Sequence, residues 1–181
     1  MKIKHNNKGF SLIELIIVIA ILSIVTSTVV VGVGYLYSTN VKSSLKKLNS
    51  ALMKTQSYTT TKSLESKDIA LKITKDSTGC VLHYVDSSGA DIPGMDSEKI
   101  GNSKICVALE YSDGSSQVVD TSTPGYVYYD RATGGVLQDG GKYLQKVYVS
   151  NNAANPTGSN MYITISKITG STDIYINGVK K

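Results

Sequence analysis

Few side chains in this sequence can carry chemistry beyond packing. Cysteines occur only at Cys80 and Cys106, and histidines only at His5 and His83. With His5 close to the N-terminus, any Ser–His or Cys–His nucleophilic pair in the body of the chain must use His83, and no nucleophile-elbow or phosphate-loop pattern accompanies it. Cys80, His83 and Cys106 could offer three metal ligands, but no second paired ligand motif occurs and no metal is expected. Asp113 with Ser115, and Asp86 with Asp91, are too sparse for a calcium loop. The chain reads as a non-enzyme that needs no cofactor.

Glu14 signals something else. It is the single charge in residues 10–37, a run that would rise to roughly 42 Å as a helix and span a bilayer. The run is rich in Ile and Val, poor helix formers in water, yet in hydrocarbon one segment satisfies its backbone only as a helix. Lys2, Lys4 and Lys8 precede it with no acid among them, which holds that end in the cytoplasm and exports the rest. A secretory signal fits badly: the run is too long, lacks a small-x-small site at its end and carries a carboxylate near its start. A charge at the bilayer centre costs about 2.5–3.5 kcal/mol on insertion scales; Glu14 sits near one end, where the cost falls, but it still marks a functional position by default.

Lys8-Gly9-Phe10-Ser11-Leu12-Ile13-Glu14, followed by Leu15-Ile16-Ile17-Val18-Ile19-Ala20-Ile21-Leu22, resembles the class III leader of type IV pilins and type II secretion pseudopilins. The resemblance covers about the first thirty residues. It implies cleavage by a prepilin peptidase between Gly9 and Phe10, N-methylation of Phe10, and retention of the apolar helix. It further implies that Glu14 meets the Phe10 amine of a neighbouring subunit and sets the axial register of a filament of identical or related subunits. An assembly ATPase and a platform protein are the implied partners, and the implied route runs from the cytoplasmic membrane to an extracellular pilus or an envelope-spanning pseudopilus. Major pilin, minor pilin and pseudopilin stay open, as do roles in motility, adhesion and secretion.

The residues support part of this unaided. Gly9 leaves an unhindered backbone at a scissile junction, and Glu14 lies one helical turn from Phe10. Pairing makes a carboxylate tolerable in lipid. A contact within one chain satisfies that reasoning as well as one between chains. Many pilins carry a proline in the outer part of this helix; here the sequence is Val29-Val30-Val31-Gly32-Val33-Gly34, where the glycines offer either a soft point or close helix packing.

Elements that must hold these residues follow from the periodicity. Val41, Leu45, Leu48 and Leu52 form one apolar stripe, with lysines on other faces, so the helix should continue to about residue 58, where the β-branched run Thr59-Thr60-Thr61 ends it. Residues 80–85, 103–111, 117–120, 126–130, 143–150, 161–168 and 173–177 read as strands; residues 66–75 are undecided between strand and helix. Ser112-Asp113-Gly114-Ser115 and Thr169-Gly170-Ser171-Thr172 read as hairpin turns. The expected fold is α+β, pilin-like: a long N-terminal helix, membrane-spanning in its first half and amphipathic in its second, packed on an antiparallel β-sheet head. The division is a leader at 1–9, a transmembrane assembly helix at 10–37, a stem at 38–58 and an extracellular head at 59–181. Loops at 86–102 and 150–160 are candidate variable surfaces.

Charge and cysteine usage agree with export. The formal charge of +5 divides into +3 over residues 1–9, +3 over 10–57 and −1 over 58–181, so the head offers no basic surface for nucleic acid. In an exported head, Cys80 and Cys106 enclose 25 residues and are economically read as a disulfide worth roughly 3–4 kcal/mol, with two reduced, buried cysteines as the alternative. The 12 tyrosines could form a stacking or glycan-binding face, though cross-strand packing accounts for most. The competing function is a membrane-anchored extracellular binding or adhesion module that does not polymerise.

Overall fold

The computed structural model describes residues 11–61, 69–86 and 88–181, with the side chains of 27–37, 138 and 139 outside the description. Helix α1 covers Leu12–Thr61. Eleven strands follow: β1 (Ala70–Lys75), β2 (Cys80–Val85), β3 (Glu98–Ile100), β4 (Cys106–Tyr111), β5 (Ser116–Val118), β6 (Gly125–Tyr128), β7 (Gln138–Asp139), β8 (Lys142–Ser150), β9 (Met161–Ile165), β10 (Thr172–Ile176) and β11 (Val179–Lys180). One 3₁₀ turn, Pro156–Gly158, lies between β8 and β9. By its contacts the chain divides into two compact units between Ser38 and Thr39.

The helix outlasts its expected end. Thr59, Thr60 and Thr61 stay helical, and their hydroxyls donate back to carbonyls one turn earlier, Thr59 to Thr55 at 2.9 Å and Thr60 to Gln56 at 3.1 Å. β-Branched residues are weak helix formers, but this back-bonding satisfies their hydroxyls inside the helix. Gly32 and Gly34 lie within the same continuous element. Among the described residues no helix is long and apolar enough to cross a membrane; the side chains of 27–37, over which the expected span runs, fall outside that set.

In the larger unit the strands form two antiparallel sheets where one was expected. The first has the order β3-β2-β1-β6; the second runs β11-β10-β9-β8-β4-β5, with β7 paired to β8. Val41, Leu45, Leu48 and Leu52 are buried, confirming the stripe, and pack in one cluster with Leu71, Ile73 and Leu82 of the first sheet and Val107, Leu109, Val147 and Ile163 of the second. Full burial of each leucine contributes about 1.5–3 kcal/mol. The fold is α+β, consistent with a pilin-like arrangement.

The end of α1 is also fastened by a polar side chain. Gln56 Nε2 donates to the carbonyls of Gly134 and Thr169, which belong to two separate loops. Those loops touch through glycine: a Cβ at Gly170, where φ is +63°, would run into the Gly134 carbonyl oxygen. Only glycine fits such a position.

The outer face of the second sheet carries aromatic residues in register. Tyr148, Tyr162 and Tyr175 are cross-strand partners on β8, β9 and β10, with ring centroids 5.4 and 4.9 Å apart. Beside them Lys146 Nζ donates to Glu110 Oε1 at 2.7 Å and the Tyr148 hydroxyl donates to Glu110 Oε2 at 2.9 Å. The Lys146 bond, followed by that of Tyr148, holds the Glu110 carboxyl below its ordinary range against the opposing effect of burial.

Candidate functional site

Gly9 and Phe10 lie outside the described residues; the described site begins with Ser11. The Ser11 backbone N–H donates to Glu14 Oε2 at 2.9 Å, and the Ile13 N–H donates to Ser11 Oγ at 3.4 Å. The Glu14 bond is the glutamate half of a capping box, answering an N–H that the first turn leaves without a helical acceptor, while Ser11 Oγ caps Ile13. The reading of Glu14 as a lone membrane carboxylate overlooked it, although the spacing Ser11-x-x-Glu14 was available in the sequence. Glu14 therefore has an intrachain partner, and the bond uses one carboxylate oxygen.

Beyond the cap the helix presents apolar side chains on every face. Leu12, Ile13, Leu15, Ile16, Ile17, Val18, Ile19, Ile21, Leu22, Ile24 and Val25 are between 48% and 77% exposed in this chain. Successive positions on a helix point in different directions, so this is a sleeve rather than a stripe. The hydroxyls within it are satisfied internally: Ser23 donates to the Ile19 carbonyl at 2.6 Å and Thr26 to that of Leu22 at 2.8 Å. The segment therefore leaves a large apolar surface exposed in this chain while its described hydroxyls are satisfied internally.

The two cysteines are both buried and both free thiols in this structure. Cys80 starts β2 and faces the core, where its thiol donates to the Ile105 carbonyl at 3.5 Å. Burial pushes this thiol up to about 11, with nearby Lys75 opposing. Cys106 starts β4, on the face opposite Val107 and Leu109, and Lys75 Nζ donates to its sulfur at 3.1 Å. Strand alternation sends His83 to the face opposite Cys80, where Nδ1 lies 3.4 Å from Asp91 Oδ1. Among the described residues no group of three or more His, Cys, Asp or Glu side chains could hold a metal.

Asp86 and Asp113, weighed above as sparse calcium ligands, belong to a recurring turn, whereas Asp91 lies beside His83. Asp76, Asp86, Asp113, Asp120 and Asp130 each use Oδ1 to accept from backbone N–H groups two to four residues ahead and from a Ser or Thr hydroxyl in the same stretch. Hydrogen bonding to the ionised form lowers the carboxyls of Asp76, Asp113 and Asp130, and takes Asp120 to about 2 through its bonds with Ser122 and Thr123.

The chain thus opens on a serine–glutamate helix cap, continues as an exposed apolar sleeve and carries an α+β head. Residues 4–30 match the family model of the prokaryotic N-terminal methylation motif. This motif is typical of type IV pilins and pseudopilins, which are structural proteins, and identifies a class III signal in a prepilin-like chain. No curated protein and no solved structure matches the chain.

Proposed function

We propose that this protein is a prepilin, cut between Gly9 and Phe10 by a prepilin peptidase, methylated on Phe10 and assembled through its N-terminal helix into a type IV pilus or pseudopilus. The observation that carries the reading is the sleeve of exposed apolar side chains at residues 12–25, directly following a capped helix start. Before assembly the segment 10–37 resides in the cytoplasmic membrane with the head outside. In the filament it joins a bundle of equivalent helices, because lipid and apolar neighbours satisfy the same surface. The cap lies wholly on the Phe10 side of the scissile bond, so removal of the leader leaves the helix start intact. Glu14 Oε2 is engaged by Ser11, and the carboxylate retains acceptor capacity for the Phe10 amine of an adjacent subunit. Work comes from an assembly ATPase acting through a platform protein.

The test is the intact mass and N-terminal peptide of the protein taken from its own cells. A chain beginning at methylated Phe10 and recovered in the sheared surface fraction supports the reading. A chain beginning at Met1, or one lacking residues 10–37, overturns it in favour of a signal anchor or a secreted domain.

A further inference from the structure

Between Glu14 and Glu65 the chain carries no acid and five lysines, Lys42, Lys46, Lys47, Lys54 and Lys62. Lys62 lies outside the described residues, and the other four stand on α1 within the larger unit. Two of the four are engaged by the head. Lys47 Nζ lies 3.8 Å from Glu98 Oε1 and donates to the Lys99 carbonyl at 3.3 Å, while Lys54 Nζ lies 4.5 Å from the centroid of the Tyr84 ring. Lys42 and Lys46, the two nearer residue 37, have no ion pair, hydrogen bond or ring partner among the described residues.

Lys42 and Lys46 are one helical turn apart and so share a face. Val41, Leu45 and Leu48 are buried on the side turned to the sheets, whereas Lys46 is exposed and Lys42 half-buried. Around the pair Thr39, Asn40 and Ser43 are exposed and uncharged. Like charges at this spacing repel each other, and nothing described in the chain offsets the repulsion.

We propose that Lys42 and Lys46 bind the anionic headgroup of a phospholipid in the outer leaflet of the membrane that holds residues 10–37; this rests on the membrane residence of that segment proposed above. The two lysines follow residue 37 by five and nine positions, which a helix covers in about 7.5 and 13.5 Å. The headgroup layer is about 5–8 Å deep on each side of the hydrocarbon. Helical side chains lean toward the N-terminus, here the membrane side, and a lysine stem bends back far enough for Lys46 to reach the same layer. A phosphodiester brings one negative charge and two acceptor oxygens, which answers two neighbouring ammonium groups. The carboxylates of the head argue against a second copy as the occupant. Glu98, Glu110 and Asp173 are paired with Lys47, Lys146 and Lys180 of the same chain, and the five aspartates of the recurring turn are held by their own loops.

The full chain is reconstituted in vesicles of phosphatidylcholine alone and in vesicles of phosphatidylcholine with an equal share of phosphatidylglycerol. Flotation with the first checks the anchor in the absence of anionic lipid. In the second, headgroup-photoreactive forms of the two lipids are compared and their adducts mapped by peptide mass, which separates the stem from the leader with its Lys2, Lys4 and Lys8. Each lysine near an anionic surface gains about fivefold in affinity. Adducts at residues 38–50 should therefore favour phosphatidylglycerol about 25-fold at low salt, and less as salt rises. Lys42→Gln combined with Lys46→Gln should bring the ratio close to one. Lys54→Gln combined with Lys142→Gln, an equal loss of charge at lysines lying over Tyr84 and Tyr111, should leave it unchanged. Neither Lys42 nor Lys46 belongs to the buried cluster, so the fold survives their replacement. Equal adducts from the two lipids, or a ratio indifferent to replacement of Lys42 and Lys46, overturns the proposal while the anchor stands. Failure to float with phosphatidylcholine vesicles overturns the anchor and this inference with it. Loss of chain-to-chain cross-linking in the Lys42 and Lys46 variant, with the lipid ratio unmoved, makes a second copy the occupant and overturns the proposal.

Discussion

Replacing Glu14 by glutamine and, separately, by alanine divides two roles that one carboxylate combines. Glu14 Oε2 accepts the Ser11 N–H at 2.9 Å. A glutamine carbonyl can accept that bond and an alanine cannot. Loss of a cap partner costs about 0.5–2 kcal/mol, while loss of negative charge alone at a helix N-terminus costs about 0.3–1 kcal/mol. Neither is enough to unfold a helix of 50 residues, so membrane insertion and cleavage after Gly9 should survive in both variants. Assembly should respond differently. If the carboxylate faces the Phe10 amine of a neighbour inside an apolar bundle, removing it strands a buried ammonium at about 3–5 kcal/mol. That is roughly a hundred- to several-thousand-fold in subunit association. The assay is the ratio of sheared filament to whole-cell protein by immunoblot, with the N-terminal peptide mass as the control for processing. Both variants should be processed normally and lose filaments, Glu14→Gln nearly as severely as Glu14→Ala. Full filament yield from Glu14→Gln with loss confined to Glu14→Ala would reduce Glu14 to a helix cap, and normal yield from both would remove it from assembly.

Four further tests probe the packing of the larger unit. Gly170→Ala, at φ +63° with the Gly134 carbonyl in the way, should lower stability by about 2 kcal/mol or more, whereas Gly114→Ala, at φ +82° in open space, should lose about 1 kcal/mol; equal urea midpoints for the two would refute the close approach. Leu48→Ala should cost about 2–5 kcal/mol and Ile168→Ala, three-quarters exposed, less than about 0.5 kcal/mol by the same measurement. The melting temperature should be level between about pH 4 and pH 9 and fall on either side. On the acid side the depressed carboxyls of Asp76, Asp113, Asp120 and Asp130 contribute fully above their unfolded value of 3.8, and that contribution is lost as pH falls through the folded values, about 2 for Asp120. On the alkaline side, the reduced Cys80 thiol contributes fully below 9.0 and loses its contribution as pH rises toward about 11, with the raised Tyr129 hydroxyl acting in the same direction. In reduced, folded protein at pH 8 Cys80 should resist alkylation, its thiolate being about one part in a thousand; rapid labelling at that site, or a melting temperature that climbs above pH 9, would contradict this.

The elements most legible in the sequence were those whose signal is periodic and long. The stripe Val41, Leu45, Leu48 and Leu52 is buried as expected, because a helix face covering sheets allows little else. Strand β2 matches its expected bounds, and β8 and β9 start within a residue of theirs. The undecided segment before residue 75 resolves as β1, central in its sheet, where pairing with both β2 and β6 decides what local propensity left open. Strand β3 fell inside a stretch read as loop, since three residues, Glu98–Ile100, carry no period and are strand only because Cys80, Val81 and Leu82 lie alongside. Division into two sheets was not legible, because alternation marks a buried face without saying which neighbours share it. At the candidate site, the run after Phe10 was readable as composition, whereas the Ser11–Glu14 cap was readable as spacing and went unread.

The turns led by Asp76, Asp86, Asp113, Asp120 and Asp130 also bear on how such a head can change over generations. Each carboxylate is answered by its own next few residues, so much of each loop's conformation is written within the loop itself. Substitution at the exposed positions beside these anchors leaves strand pairing untouched. A surface made of such self-specified turns can be redrawn piecemeal, one loop at a time, while the helix and the sheets beneath it inherit the same fold.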